Sequence, residues 1–403
     1  MEPENPLNPA PPGLFTGPFL VLCVFYFLVF FAGYQLLAIV PLHLRDLGAS
    51  LAESGRFMGA FTLGSAVGSL VTGPLSDRLG QRRMLRGASL LLVLFFVAYA
   101  GLTARWGFIA LAPLHGFVWS ALRTASVAKA GSMLAPERRA EGMSFFGTSG
   151  PLGIALGPTL GIALWPLLGF PGMLLVLGGI FLGCHWVIRT LPKEPRAGLL
   201  LPPVLALPGK EVLLPVVLLF LVGITFGPIP PYAAQEAKSL HMLWPSAFLT
   251  CLALGIIGLR LILALRGMGT HPIRLLAPML WLTLAGLAAL ALLPGAAARH
   301  IFAGLLYGAG FGMVHTLVFM HVINRSHPSR RGAAVGALYF SYDAGQAVGS
   351  LAIGWIMERA GQHWGPDWGF RSGWLATALA VAAGLLLAGR IMGEKPEPPP
   401  LRT

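Results

Sequence analysis

Gly73-Pro74-Leu75-Ser76-Asp77-Arg78-Leu79-Gly80-Gln81-Arg82-Arg83 is a polar segment set between two long apolar stretches. It gathers Asp77, Arg78, Arg82 and Arg83 in a chain of which only 11% is Asp, Glu, Lys or Arg. A charged, glycine-marked turn between two apolar runs has the form of a connection between membrane helices, and its arginines place it on the cytoplasmic side.

The rest of the chain fits that setting. Of 403 residues, 56% are hydrophobic, and the mean hydropathy is +0.74. Soluble domains carry about 25% charged residues, so bilayer is the solvent this composition suits. The 52 glycines and 33 prolines are compatible with membrane helices, which tolerate both and use glycine for close packing. Cys23, Cys184 and Cys251 lie far apart in apolar runs, which suits buried small hydrophobes rather than a metal site.

A spanning helix needs about 20 mostly apolar residues. Twelve such segments can be placed: 15–40, 51–76, 84–103, 107–132, 141–167, 169–190, 212–236, 243–265, 275–294, 299–323, 332–357 and 371–392. The expected organisation is an all-α membrane protein of two pseudo-symmetric six-helix bundles, 15–190 and 212–392. They are joined by a Pro-rich cytoplasmic linker, 191–211, and flanked by cytoplasmic tails, 1–14 and 393–403. The N-terminus lacks a basic region and a small-residue cleavage site, so the first helix reads as uncleaved.

The basic residues agree with this topology. Arg78, Arg82, Arg83, Arg86, Arg138, Arg139, Arg189, Lys193, Arg266, Arg274, Arg325, Arg330 and Arg331 fall in connections on one side, with fewer opposite. Much of the net charge of +13 is therefore a topology signal and not a nucleic-acid footprint. The halves also repeat 192 positions apart. Leu114-His115-Gly116 matches Leu306-Tyr307-Gly308, and Arg123-Thr124 matches His315-Thr316. Arg138-Arg139 matches Arg330-Arg331, while Gly153 and Gly157 match Gly345 and Gly349. Repeated halves around a shared site are a common transporter plan.

Gly73, Leu75, Ser76, Asp77, Arg78, Gly80, Arg82 and Arg83 resemble the signature loop of the major facilitator superfamily, with Gln81 departing from its pattern. The resemblance covers nearly the whole chain. It implies an alternating-access fold in which Gly73, Asp77, Arg78, Gly80, Arg82 and Arg83 latch the two halves at the inner face in the outward-open state. In the fifth segment Gly153, Gly157, Pro158 and Gly161 resemble the family's antiporter motif, with Ile162 replacing the last glycine. Close helix packing explains the same spacing, but the resemblance favours export over import. The Arg-x-x-Gln-Gly motif of many drug exporters is missing, since Ala112 and His115 stand at its Arg and Gln positions.

Ionisable residues inside a membrane are costly and point to function. At 1.5 Å per residue, Asp343 lies about 18 Å from the inner end of its helix, and Arg123 and His315 about 14–15 Å from theirs. All three approach the midplane. Burial favours a neutral carboxyl and a nearby cation favours a charged one. A site alternating between those environments would load and release a proton, which makes Asp343 the proton-carrier candidate; the alternative is a static ion pair. Arg123 either binds an anionic substrate or pairs with Asp343. His315 and His115 are further candidates, and Arg260 reads as structural. By family analogy helices 1, 4, 7 and 10 line the cavity, offering Tyr26, Tyr34, Gln35, Trp119, Thr225, Tyr232, Gln235, Tyr307, Phe311 and Phe319.

No nucleotide-binding loop, HExxH or nucleophile elbow occurs. The expectation is a non-enzymatic, proton-coupled secondary transporter of a bacterial inner membrane. It would have both termini cytoplasmic, act as a monomer among membrane lipid, use no metal or cofactor beyond the proton gradient, and export a drug-like or small organic compound. An importer or facilitator of a sugar or other metabolite, and a non-transporting sensor, are the alternatives.

Overall fold

A computed structural model describes residues 13–193, 212–266, 272–326 and 331–393. The tails and the 191–211 linker lie largely outside these residues. Thirteen α-helices are described: α1 (Gly17–Asp46), α2 (Leu51–Leu79), α3 (Gln81–Gly101), α4 (Arg105–Met133), α5 (Arg139–Phe146), α6 (Ser149–Val187), α7 (Leu213–Phe226), α8 (Ile229–Ser239), α9 (Ala247–Arg266), α10 (Leu276–Leu292), α11 (Ala296–Arg325), α12 (Arg331–Trp364) and α13 (Pro366–Gly393). Nine segments among the described residues are long and apolar enough to cross a membrane. One of these, Glu141–Thr190, is 50 residues long. It reverses direction at Gly169, whose φ of 66° is left-handed and suits a residue without a Cβ. His43 at the end of α1 stacks on Phe170 just past this turn, while Arg82 and Arg86 of α3 meet the far end of the segment at Arg189 and His185. With that reversal counted and α4 and α12 added, the described helices accommodate the twelve expected segments.

Local chemistry fixes the ends. α2 begins with a reciprocal capping box: the Glu53 amide donates to Ser50 Oγ at 3.2 Å and the Ser50 amide donates to Glu53 Oε2 at 2.9 Å, satisfying two otherwise orphaned donors. It continues to Leu79, and α3 starts at Gln81, so the signature segment is almost wholly helical. Gly80 alone makes the corner, with φ 85°. The seventh expected segment is broken between α7 and α8, where Pro228, Pro230 and Pro231 lack amide donors.

Lipid offers little hydrophobic drive for helices to associate, so close van der Waals contact supplies much of the packing. The repeated glycines show where. A Cβ at Gly153 or Gly157 would run into the backbone of α1 at Phe31. At the matching Gly345 and Gly349 it would run into α7 at Phe220 and Ile224. Gly116 meets the Phe61 carbonyl of α2, and its counterpart Gly308 meets the Leu252 carbonyl of α9. The sequence repeat is thus also a repeat of helix contacts. Gly161 likewise rests on Gln35 and Ile39. Gly73 of the signature segment has nothing within 4 Å of its Cβ position among the described residues.

Candidate functional site

Two helices outside the strongly apolar set, α4 and α12, carry the charges at the centre. Arg123 meets Asp343 in a fork, with Nη2 to Oδ2 at 2.7 Å and Nη1 to Oδ1 at 3.3 Å. Ser65 Oγ of α2 donates to Oδ2 at 2.8 Å, and Gln346 Nε2 donates to Oδ1 at 3.0 Å. The guanidinium also lies over the Tyr339 ring, 4.4 Å from its centre. Asp343 is 1% exposed, and its carboxylate receives four donors from three helices. Arg123 and Ser65 belong to the first repeat and Asp343 to the second, so the cluster ties the two together. Of the readings open for Arg123, the geometry is that of the ion pair.

The pair faces a cavity of about 260 Å³. Its walls are aromatic: Tyr26, Phe30, Tyr34, Phe61, Trp119, Phe146, Phe226, Phe311, Tyr339 and Tyr342. Thr62, Ser65, Arg260, His315 and Gln346 add polar groups. His315 stacks on Phe319 with centroids 4.4 Å apart and meets Tyr342 edge-on at 5.3 Å. Phe319 supports that wall from behind rather than lining it. Arg260, expected to be structural, lines the same cavity. Its Nη1 donates to the Gly147 carbonyl at 3.1 Å and its Nη2 to Thr316 Oγ1 at 3.4 Å, and no carboxylate among the described residues pairs with it.

Several expected lining residues lie elsewhere. His115 is buried within the first repeat, stacked on Phe95 and edge-on to Phe61; its ring nitrogens have no hydrogen-bond partner among the described residues. Gln35 points into the helix packing toward Met173 Sδ. Thr225 bonds the Tyr307 hydroxyl at 2.9 Å inside the second repeat. Tyr232 donates to the Ser350 carbonyl, and Gln235 donates to Ser54 at 3.0 Å near the outer end. Asp343, Arg123, His315, Tyr26, Tyr34, Trp119 and Phe311 are brought together at the cavity. Met58, Phe61, Ser65, Ile154, Tyr339, Tyr342 and Gln346 join them from α2, α6 and α12, helices the family analogy left out.

Contacts between the repeats concentrate toward the end opposite the basic connections, here the outer end. The Ala52 amide donates to Glu358 Oε2 at 2.7 Å, Ser350 Oγ donates to the Gly55 carbonyl at 2.8 Å, and Thr159 Oγ1 lies 2.8 Å from Thr250 Oγ1. Among the described residues, Arg82 of the signature segment donates to the Arg189 carbonyl and Ser132 donates to Gln81 Oε1, both within the first repeat.

Known proteins agree with this architecture. A bacterial homologue of the human lysosomal transporter Spinster, solved inward-facing and unoccupied, superposes with a TM-score of 0.73 over 93% of this chain and 96% of its own at 13% identity. The nucleoside transporter NupG, solved as a point mutant, gives 0.70 over 93% and 100% at 14% identity. A probable L-galactonate transporter of Escherichia coli (strain K12) is 27% identical over 162 residues, 39% of this chain. The match spans about a third (36%) of that relative's length. The family model described as Major Facilitator Superfamily matches residues 22–350. This multi-pass membrane protein belongs to the Major Facilitator Superfamily of transporters.

Proposed function

We propose that the protein is a proton-coupled secondary transporter moving a small organic metabolite by alternating access. One observation carries this reading: the Arg123–Asp343–Ser65 cluster joins the two repeats at the wall of the central cavity. Neutralising Asp343 removes the charge that Arg123 needs and loosens a cross-repeat tie. A proton arriving there therefore changes both the cavity and the balance between conformations.

Size favours a metabolite over a bulky drug. Drug-sized ligand pockets run to about 300–1,000 Å³, and this cavity holds about 260 Å³. The solutes named for similar proteins, a galactonate and nucleosides, are of that scale. The antiporter-like glycines pack against α1, and the same spacing serves close helix packing. The inner-membrane location with cytoplasmic termini is part of the same proposal and rests on the distribution of arginines.

The test is flux in proteoliposomes under an imposed pH gradient. Asp343→Asn is expected to fold and to lose gradient-driven accumulation, while retaining exchange down a solute gradient. Unchanged gradient-driven transport would remove Asp343 from the mechanism. Reversing the gradient in the same vesicles gives the direction.

A further inference from the structure

The cavity walls carry three formal charges, Arg123, Arg260 and Asp343. Asp343 engages both terminal nitrogens of Arg123. Arg260 has only a carbonyl and a hydroxyl as acceptors among the described residues. Neither is an anion, and a charge in low-dielectric surroundings without a counter-charge is costly. The site is one negative charge short. Arg123 has spare capacity as well, since its buried Nε has no partner among the described residues. Both guanidiniums line the same cavity.

We propose that the cavity binds a small organic carboxylate with its anionic group on Arg260, and that binding is linked to uptake of a proton by Asp343. This deepens the transport reading above and rests on it. A carboxylate entering beside Arg260 supplies the missing charge, and guanidinium geometry suits two parallel hydrogen bonds to it. The second anion also competes with Asp343 for Arg123. The groups that face Asp343 are Arg123, Ser65, Gln346, Tyr34, Tyr339 and Tyr342, and among these Arg123 alone is a cation. When the incoming carboxylate draws on Arg123, Asp343 takes a proton from solvent onto a carboxyl oxygen. Linkage makes the effect reciprocal, so a protonated Asp343 strengthens anion binding. Anion and proton then occupy the site together and travel in the same direction. The aromatic walls accept the organic part of the solute.

The test is calorimetric binding to purified full-length protein in detergent. The probes are C4–C8 monocarboxylates, polyhydroxylated, aliphatic and aromatic, each set against an uncharged counterpart of similar size. At least one acid is expected to bind far more tightly than its counterpart. Arg260→Gln should weaken that acid about 30-fold or more, the usual result of removing one partner of a buried charge pair. Arg260→Lys, which keeps the charge, should retain part of the affinity, and melting curves of both variants check folding. Titration in buffers of different ionisation heat reads the protons exchanged. Wild type should take up a fraction of a proton per acid bound and Asp343→Asn none. Uncharged probes binding as well as acids, no acid binding, or proton release on binding would overturn the proposal. These outcomes are separable from failure of the transport reading. Loss of gradient-driven flux in Asp343→Asn without carboxylate binding would leave coupling intact and sink the anion site. The reverse pattern would keep the anion site and sink the coupling.

Discussion

Two buried charge clusters in this protein are built alike and placed differently. At the outer end of the second repeat, Glu236 of α8 accepts from Arg299 Nη2 at 2.5 Å and from Trp374 Nε1 at 2.8 Å, with His300 Nε2 3.5 Å away. Arg299 also reaches Asp367 at 3.0 Å, and Asp367 in turn holds Arg371 at 2.6 Å. All of these residues belong to the second repeat, and Glu236 and Arg299 are almost completely buried. The central cluster has the same ingredients, one carboxylate surrounded by donors, but its members come from both repeats and one side faces a cavity. A cluster whose parts move as a unit keeps its bonds through a rocking motion. A cluster shared between moving parts must break or reform. On the transport reading proposed above, placement separates a scaffold charge from a working one.

The contrast can be broken experimentally, starting with the largest effect. Asp343→Asn should reduce proton-driven flux per folded molecule to the level of protein-free vesicles, and it also leaves the buried Arg123 without its carboxylate, so a lower melting temperature accompanies the loss. A folded variant that still concentrates solute would place the central cluster with the scaffold. Glu236→Gln should do the opposite. It leaves Arg299 with Asp367 as its remaining carboxylate, a loss of up to about 3–5 kcal/mol by the usual cost of breaking a buried pair, read as a lower melting temperature in detergent. Transport per folded molecule should be unchanged, and a selective loss of coupling would make the outer cluster functional too. His115→Leu sharpens the division further. The ring lies among Phe61, Phe95 and Tyr99 inside one repeat, so a similar-sized apolar side chain should cost less than about 1.5 kcal/mol and leave the pH profile of transport where it was. A shifted profile would return His115 to the proton path. The smallest effect is expected of Gly73→Ala. In this structure the new methyl meets nothing within 4 Å among the described residues, and a helix-interior alanine gains up to about 1 kcal/mol over glycine. Higher thermal stability together with slower turnover would show that the signature segment meets a partner only in the other state.

Much of the architecture was legible in the sequence. The signature segment, the run of apolar stretches and the 192-residue repeat pointed to the family, and the repeat reappears as matched glycine contacts. Asp343, Arg123 and His315 were found by depth alone, because a charge or imidazole near midplane stands out against apolar neighbours. The errors lie in the angular direction. His115, Gln35, Thr225 and Tyr307 lie on the helices expected to line the cavity but face packing inside one repeat. Ser65, Tyr339, Tyr342 and Gln346 were missed on helices that do reach it. A helix that is apolar all round has no stripe to show which face is inward. Arg299, at the edge of its apolar segment, is almost completely buried. Its burial depends on Glu236, 63 positions away.

The sequence by itself determined how many times the chain can cross a bilayer, where its cytoplasmic-type arginines fall, and which rare charges lie deep, since these follow from hydropathy, length and rise per residue. The tertiary structure decided which charges meet. It paired Arg123 with Asp343 across the repeats, enclosed Glu236 with Arg299 within one, and left Arg260 facing the cavity without an anion among the described residues. Those outcomes depend on the rotation of each helix about its own axis. In lipid that rotation is set by close contact with neighbouring helices, such as α1 against Gly153 and Gly157, and not by a boundary between polar and apolar faces.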